Sequence, residues 1–160
     1  AEILEYDQIK TVKYISPVVE EIMRMSPIIL FALLTQARGK EIMNFAIAVG
    51  AGFATFENCY YITENGAELV SFILIRGLAV GVMHVLCGIV FGIGISLAMK
   101  YKVVMFPGVV GAFAFAMTIH ALYNLLVSDA GIYMYIGFGF PIFIIALVYL
   151  TKDKTIEINE

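Results

Sequence analysis

Residues 70–99 read VSFILIRGLAVGVMHVLCGIVFGIGISLAM, a run with one full charge, Arg76, and one histidine, His84. At about 1.5 Å per residue, a helix of this length more than spans the roughly 30 Å hydrocarbon core of a bilayer. An apolar run on that scale reads as a membrane helix, not as part of a small soluble domain. The composition agrees: 61% of the 160 residues are hydrophobic and 14% are charged, against about 25% charged in soluble domains.

Four further spans flank this one: Ser16–Thr35, Glu41–Thr63, Val104–Val127 and Gly131–Leu150. They predict an all-α, polytopic membrane helical bundle of about five transmembrane helices. The chain reads as a single integral-membrane domain over 1–160, with its motif-bearing core in 16–127. The links Gln36–Lys40, Glu64–Leu69, Lys100–Val103 and Ser128–Ala130 are short and polar, which predicts antiparallel neighbours. Pro17 and Pro107 fall in first helical turns, where the missing N–H costs little, whereas Pro27 and Pro141 are interior and predict kinks. Gly77, Gly81, Gly88 and Gly92 form a stripe with His84, a pattern that permits close helix contact.

Positive charge alternates along the chain. Arg38 and Lys40 lie in the first link, Lys100 and Lys102 in the third, and Lys152 and Lys154 in the tail, while the second and fourth links carry neither Lys nor Arg. This predicts a multi-pass protein of the cell membrane with a cytoplasmic carboxyl end, although Lys10 and Lys13 before the first span pull the other way. The net charge of −3 is small, so nucleic acid is not an expected partner and the lipid bilayer is. Cys59 and Cys87 fall within apolar spans and read as small apolar fillers rather than a disulfide. Ala1–Lys13 is polar, shows no signal-peptide pattern and has no initiator Met, so the expectation is a fragment lacking upstream helices.

Glu20, Glu21, Arg24 and Glu57 sit clearly inside spans, with Glu41 at a span's edge and Arg76 near an outer end. The three in the first span cost about 8–10 kcal/mol on insertion scales against roughly 4–5 kcal/mol returned by its apolar residues, so that span must face protein or water. Arg24 follows Glu20 by four residues and Glu21 by three, so either carboxylate can pair with it; the four-residue spacing favours Glu20 and leaves Glu21 free for chemistry. Glu57 with Tyr61, and His120 with Asn124, each share a helix face. With alternating helix directions, Glu20, Glu21, Glu57 and His120 all fall about 7–11 Å below the outer membrane face, with His84 somewhat deeper. One cluster in the outer half of the bilayer is expected.

Such a cluster can activate water: a buried carboxylate removes a proton while a histidine and an amide stabilise the oxyanion. A metal-free glutamate mechanism and one in which His84, His120 and a glutamate ligate Zn²⁺, leaving another carboxylate as base, are equally compatible with these residues; no HExxH run is present.

At these positions the sequence resembles the PrsW family of intramembrane proteases, which shares a superfamily with the type II CAAX-processing proteases and the multispanning scaffold subunit of γ-secretase. Glu20-Glu21-Ile22-Met23-Arg24 resembles the family's EExxK, with Arg for Lys, and Phe56-Glu57-Asn58-Cys59-Tyr60-Tyr61 resembles its FExxxY. His84 and His120-Ala121-Leu122-Tyr123-Asn124 resemble the third motif's histidine and the fourth motif, HxxxN. The resemblance implies endoproteolysis of a membrane-anchored, single-pass protein such as an anti-sigma factor. Glu20, Glu21, Glu57, His84, His120 and Asn124 are the expected catalytic residues, with Glu21 favoured as general base and His120 with Asn124 as oxyanion donors. Arg24, Phe56 and Tyr61 are expected in support. The rival reading is a non-catalytic scaffold or chaperone with a buried polar network; a transporter is less favoured, because no paired broken helices occur in two halves.

Overall fold

The computed structural model describes residues 10–65, 70–101, 103, 105–129 and 131–155. Among them there is no strand. A π-helical turn, Thr11–Ile15, leads into five helices: α1 (Ser16–Thr35), α2 (Lys40–Asn65), α3 (Val70–Lys100), α4 (Met105–Val127) and α5 (Ile132–Thr155). The expected spans reappear within a few residues at each end, and α5 continues five residues beyond Leu150.

The apolar run that opened the sequence analysis becomes the central helix: α3 packs against each of the other four, and α1 also touches α2 and α4. α1 and α2 are joined by a sharp reversal. Gln36 takes a left-handed conformation (φ 54°) just past α1, Gly39 another (φ 49°), and the first turn of α2 closes by bonds from Glu41 N–H to the Arg38 carbonyl and from Met43 N–H to the Gly39 carbonyl, both 3.1 Å. A left-handed residue after a helix is the usual way to end it. Pro17 sits in the first turn of α1, as expected, and α1 and α5 continue as helices past Pro27 and Pro141.

Leu74–Lys100, Met105–Val127 and Ile132–Leu150 are long and apolar enough to cross a membrane. α1, with 20 residues, and α2, with 26, match them in length but carry the intramembrane charges. Large apolar side chains such as Leu33, Leu34, Phe106, Phe143 and Leu150 are exposed around the bundle. So much exposed apolar surface is foreign to a monomer in water and ordinary for a protein dissolved in lipid. Cys87 is buried in the core and Cys59 is exposed; neither forms a disulfide.

The burial pattern of α1 decides where its charges go. Pro17, Glu21, Arg24, Ile28 and Ala32 form its buried stripe, spaced by three and four residues, so Glu21 and Arg24 point inward and Glu20 lies at the stripe's edge. The charged face of this span is thus turned to protein, as its insertion cost demanded.

The glycine stripe of α3 does face α2. A methyl group on Gly77 would meet the Asn58 side chain, on Gly81 the Ala54 Cβ, and on Gly92 the Ala46 Cβ. The tightest approaches leave no space: a Cβ on Gly88 would lie 2.5 Å from the Ala46 carbonyl oxygen, and one on Gly50 of α2 would lie 2.6 Å from the His84 carbonyl oxygen. Both neighbours are backbone and cannot step aside. Gly50→Ala is therefore expected to destabilise the bundle by about 1–3 kcal/mol, read as a fall of several degrees in thermal unfolding followed by circular dichroism in detergent. Gly52→Ala, where a methyl meets nothing within 4 Å, is expected to leave that temperature unchanged or raised.

Candidate active site

Four helices deliver one polar cluster. α1 brings Glu20, Glu21 and Arg24, α2 brings Glu57 and Asn58, α3 brings Arg76 and His84, and α4 brings His120 and Asn124. Glu21, Arg24, His84 and His120 are the only polar or charged residues with fully buried side chains among the described residues.

The cluster contains two carboxylate–histidine pairs. In the first, Glu57 Oε2 lies 2.5 Å from His84 Nε2, while its other oxygen accepts a bond from Arg76 Nη2 at 3.1 Å. In the second, Glu21 Oε1 lies 2.9 Å from His120 Nδ1, and Arg24 Nη2 contacts both that oxygen and, at 2.8 Å, the same ring nitrogen. The two imidazoles meet edge to face with centroids 5.4 Å apart. Phe53 of α2 closes the cluster on one side, packing against His84 at 5.3 Å and lying under the Arg24 guanidinium at 5.1 Å.

The pairing expected for α1 is corrected here. Arg24 takes Glu21, not Glu20; from Glu20 it receives only the main-chain carbonyl, 3.4 Å from Nε. The four-residue spacing that favours a pair on an exposed helix surface was overridden by burial, because Glu21 shares the inward stripe with Arg24 and Glu20 does not. The carboxylate left with a free oxygen is therefore Glu20. Its Oε2 is buried and makes no hydrogen bond, and it approaches His120 Nε2 at 3.5 Å.

Glu20, His84 and His120 each offer a ligand atom within 4.8 Å of the others. The unpartnered atoms fit that role. His84 Nδ1 has no partner, His120 presents Nε2 to Glu20, and Glu20 Oε2 is free, whereas the opposite nitrogen of each ring is held by a carboxylate. An outer carboxylate that orients a histidine for its ligand is the usual second layer of a metal site. The two histidines expected as ligands thus stand beside Glu20, the third member of the group.

Glu20 and His120 line a cavity of about 440 Å³ together with Glu57, Arg76, Tyr123 and Asn124. Tyr61 reaches the cluster through Arg76, whose guanidinium stacks on its ring at 3.8 Å. Phe56 is 74% exposed and stays outside the cluster. Sequence reasoning placed Arg76 at an outer span end and passed over it, yet a carboxylate at the depth of Glu57 calls for a cation, and Arg76 is the one within reach. Arg76 also bonds Asn58 Oδ1 at 3.2 Å, and Asn58 Nδ2 reaches back to the Gly77 carbonyl at 3.4 Å.

A family model described as PrsW family intramembrane metalloprotease matches residues 6–150. The chain belongs to that family. Among curated proteins and among solved structures, none matches. The family's description as a metalloprotease agrees with the His/Glu group above, and the long apolar helices agree with a membrane protein. In this PrsW-family chain the two arginines differ sharply in setting: Arg24 and Glu21 are 3% and 5% exposed, Arg76 and Glu57 19% and 27%. Removing one partner of a buried pair costs about 3–5 kcal/mol, because the other charge is left without compensation. Arg24→Met is expected to unfold the protein at a markedly lower temperature than Arg76→Met, as measured by thermal melts in detergent.

Proposed function

We propose that this protein is an intramembrane endopeptidase that cleaves a membrane-anchored protein, and that Glu20, rather than Glu21, is its proton acceptor. The observation that carries the reading is the convergence of Glu20, His84 and His120, whose ligand atoms lie within 4.8 Å of one another, with Glu20 Oε2 and His84 Nδ1 buried and unpartnered and with Glu20 and His120 lining a cavity. Buried polar atoms without partners are rare in native proteins, and a cluster of them marks a place shaped for something else.

His84 and His120 would hold a divalent cation, Zn²⁺ on the chemistry of an imidazole donor pair, which when bound supplies Lewis-acid activation of a water and of the substrate carbonyl, and Glu20 stands beside it as the base. Glu20 takes the proton from the attacking water and returns it to the leaving amine. Glu57 and Glu21 fix the ring orientation and tautomer of His84 and His120, and Arg76 and Arg24 pair with those two carboxylates. Both nitrogens of His120 face carboxylates, so oxyanion donation falls to Asn124 among the residues the sequence singled out. The alternation of Lys and Arg across the links supports a multi-pass topology with a cytoplasmic carboxyl end, which puts the site towards the outer face of the membrane.

The test is reconstitution in liposomes with single-pass reporter proteins. Wild-type protein is expected to cut a reporter within or near its span, and Glu20→Gln to lower the rate by about 10²–10⁴-fold, the usual worth of a general base. His84→Ala is expected to lose bound metal by elemental analysis as well as activity. Glu57→Gln, which weakens the outer partner of His84, is expected to lower metal affinity about 10–100-fold. Undiminished cleavage by Glu20→Gln would return the base role to Glu21, and cleavage by none of the forms would leave the polar cluster as the scaffold network of the rival reading.

A further inference from the structure

Tyr123 is used by neither the motifs nor the mechanism above. It lies three residues after His120 on α4, so the two share a helix face. Its ring is packed in the core among Val80, Met83, Cys87, Ala116 and Ile119, and the residue is 2% exposed. Its hydroxyl is buried without a hydrogen-bond partner, although the residue lines the same cavity as Glu20 and His120.

These facts are hard to reconcile with a structural tyrosine. A buried hydroxyl left unpaired is costly, and phenylalanine would fill the same core position without that cost. A donor held rigidly by packing, without a ground-state partner and carried by a residue of the cavity wall, is instead what stabilisation of a developing negative charge requires. The donor needs no reorganisation when the charge appears.

We propose that Tyr123 is a catalytic residue of this protease, donating its phenolic O–H to the oxyanion of the scissile peptide. The inference rests on the protease reading above. As the water oxygen bonds to the carbonyl carbon, its proton passes to Glu20 and the carbonyl π pair moves onto oxygen, which accepts the Tyr123 hydrogen bond. Collapse re-forms the carbonyl, breaks the carbon–nitrogen bond and sends the Glu20 proton to the departing amine. Tyr123 gives up no proton over the cycle, and Asn124, on the next position of α4, offers a second donor from the same wall of the cavity.

Tyr123→Phe in the full-length, metal-loaded protein isolates the hydroxyl. The expected result is a kcat lower by about 10²–10³-fold, the cost of losing one oxyanion donor, with KM within about threefold, bound metal unchanged and a melting temperature equal to wild type or higher. A phosphinic analogue of the reporter, which mimics the tetrahedral species, is expected to bind the variant at least tenfold more weakly than wild type. The uncleaved reporter, compared in a Glu20→Gln background, is expected to bind both alike. A kcat within threefold of wild type, or equal affinity for the phosphinic analogue, would overturn the assignment while leaving the protease reading intact. A lowered melting temperature would also overturn it, by showing that the hydroxyl has a structural partner. Wild-type protein that neither cuts the reporter nor binds the analogue would remove both readings together.

Discussion

The interior is organised around a cation that lipid cannot solvate. Arg24 is almost wholly enclosed, and an ionised guanidinium in a medium of low dielectric must be surrounded by groups that compensate it. It finds Glu21 on its own helix and His120 on α4, and it lies against Phe53 of α2. One side chain therefore fixes α1 against two neighbours at once. Turning α1 by a single residue, about 100°, would swing Arg24 towards lipid, so the helix has one acceptable rotational setting. That setting brings Glu20 to the cavity wall with an oxygen free.

The two carboxylate–histidine pairs repeat one logic from opposite sides. Glu57 holds His84 by Nε2 and is braced by Arg76; Glu21 holds His120 by Nδ1 and is braced by Arg24. Because opposite nitrogens are held, opposite nitrogens are left over: His84 Nδ1 has no partner, and His120 Nε2 approaches Glu20. Three carboxyl groups stand against two guanidinium groups in this cluster, an acidic excess that suits a bound cation.

Much of this was legible in the sequence because membrane proteins expose their constraints along the chain. Apolar length marked the helices, and the rarity of charge inside them marked the residues that had to meet. Depth brought Glu20, Glu57 and His120 to one level, and α3, with 31 residues, is long enough for His84 to join them. What the sequence withheld was rotation. Spacing alone allows Arg24 to reach Glu20 or Glu21, and the choice was made by which flank of α1 is buried. Arg76 was set aside by its position near a span end, although a carboxylate at the level of Glu57 needed it. Tyr123 was hidden for another reason: in an apolar helix a tyrosine is indistinguishable from core until its hydroxyl is seen to lack a partner.

Packing and chemistry are not separable in this bundle. Along the α2–α3 seam, Asn58 faces Gly77, Ala54 faces Gly81, Gly50 meets the His84 backbone and Ala46 meets Gly88, an antiparallel register that holds over several turns. One of its two tightest approaches is made at a residue that carries the chemistry, because only a glycine at position 50 lets α2 lie directly against the His84 carbonyl. Seven residues further along α2, two turns on and nearly the same face, stands Glu57. The short separation of the two backbones is what allows a glutamate on one helix to reach the ring of a histidine on the other without leaving the helix surface. A larger residue at Gly50 would push the helices apart at the point where a few tenths of an ångström separate a hydrogen bond from none. The small-residue seam, read alone as ordinary membrane packing, is therefore the ruler that sets the Glu57–His84 distance.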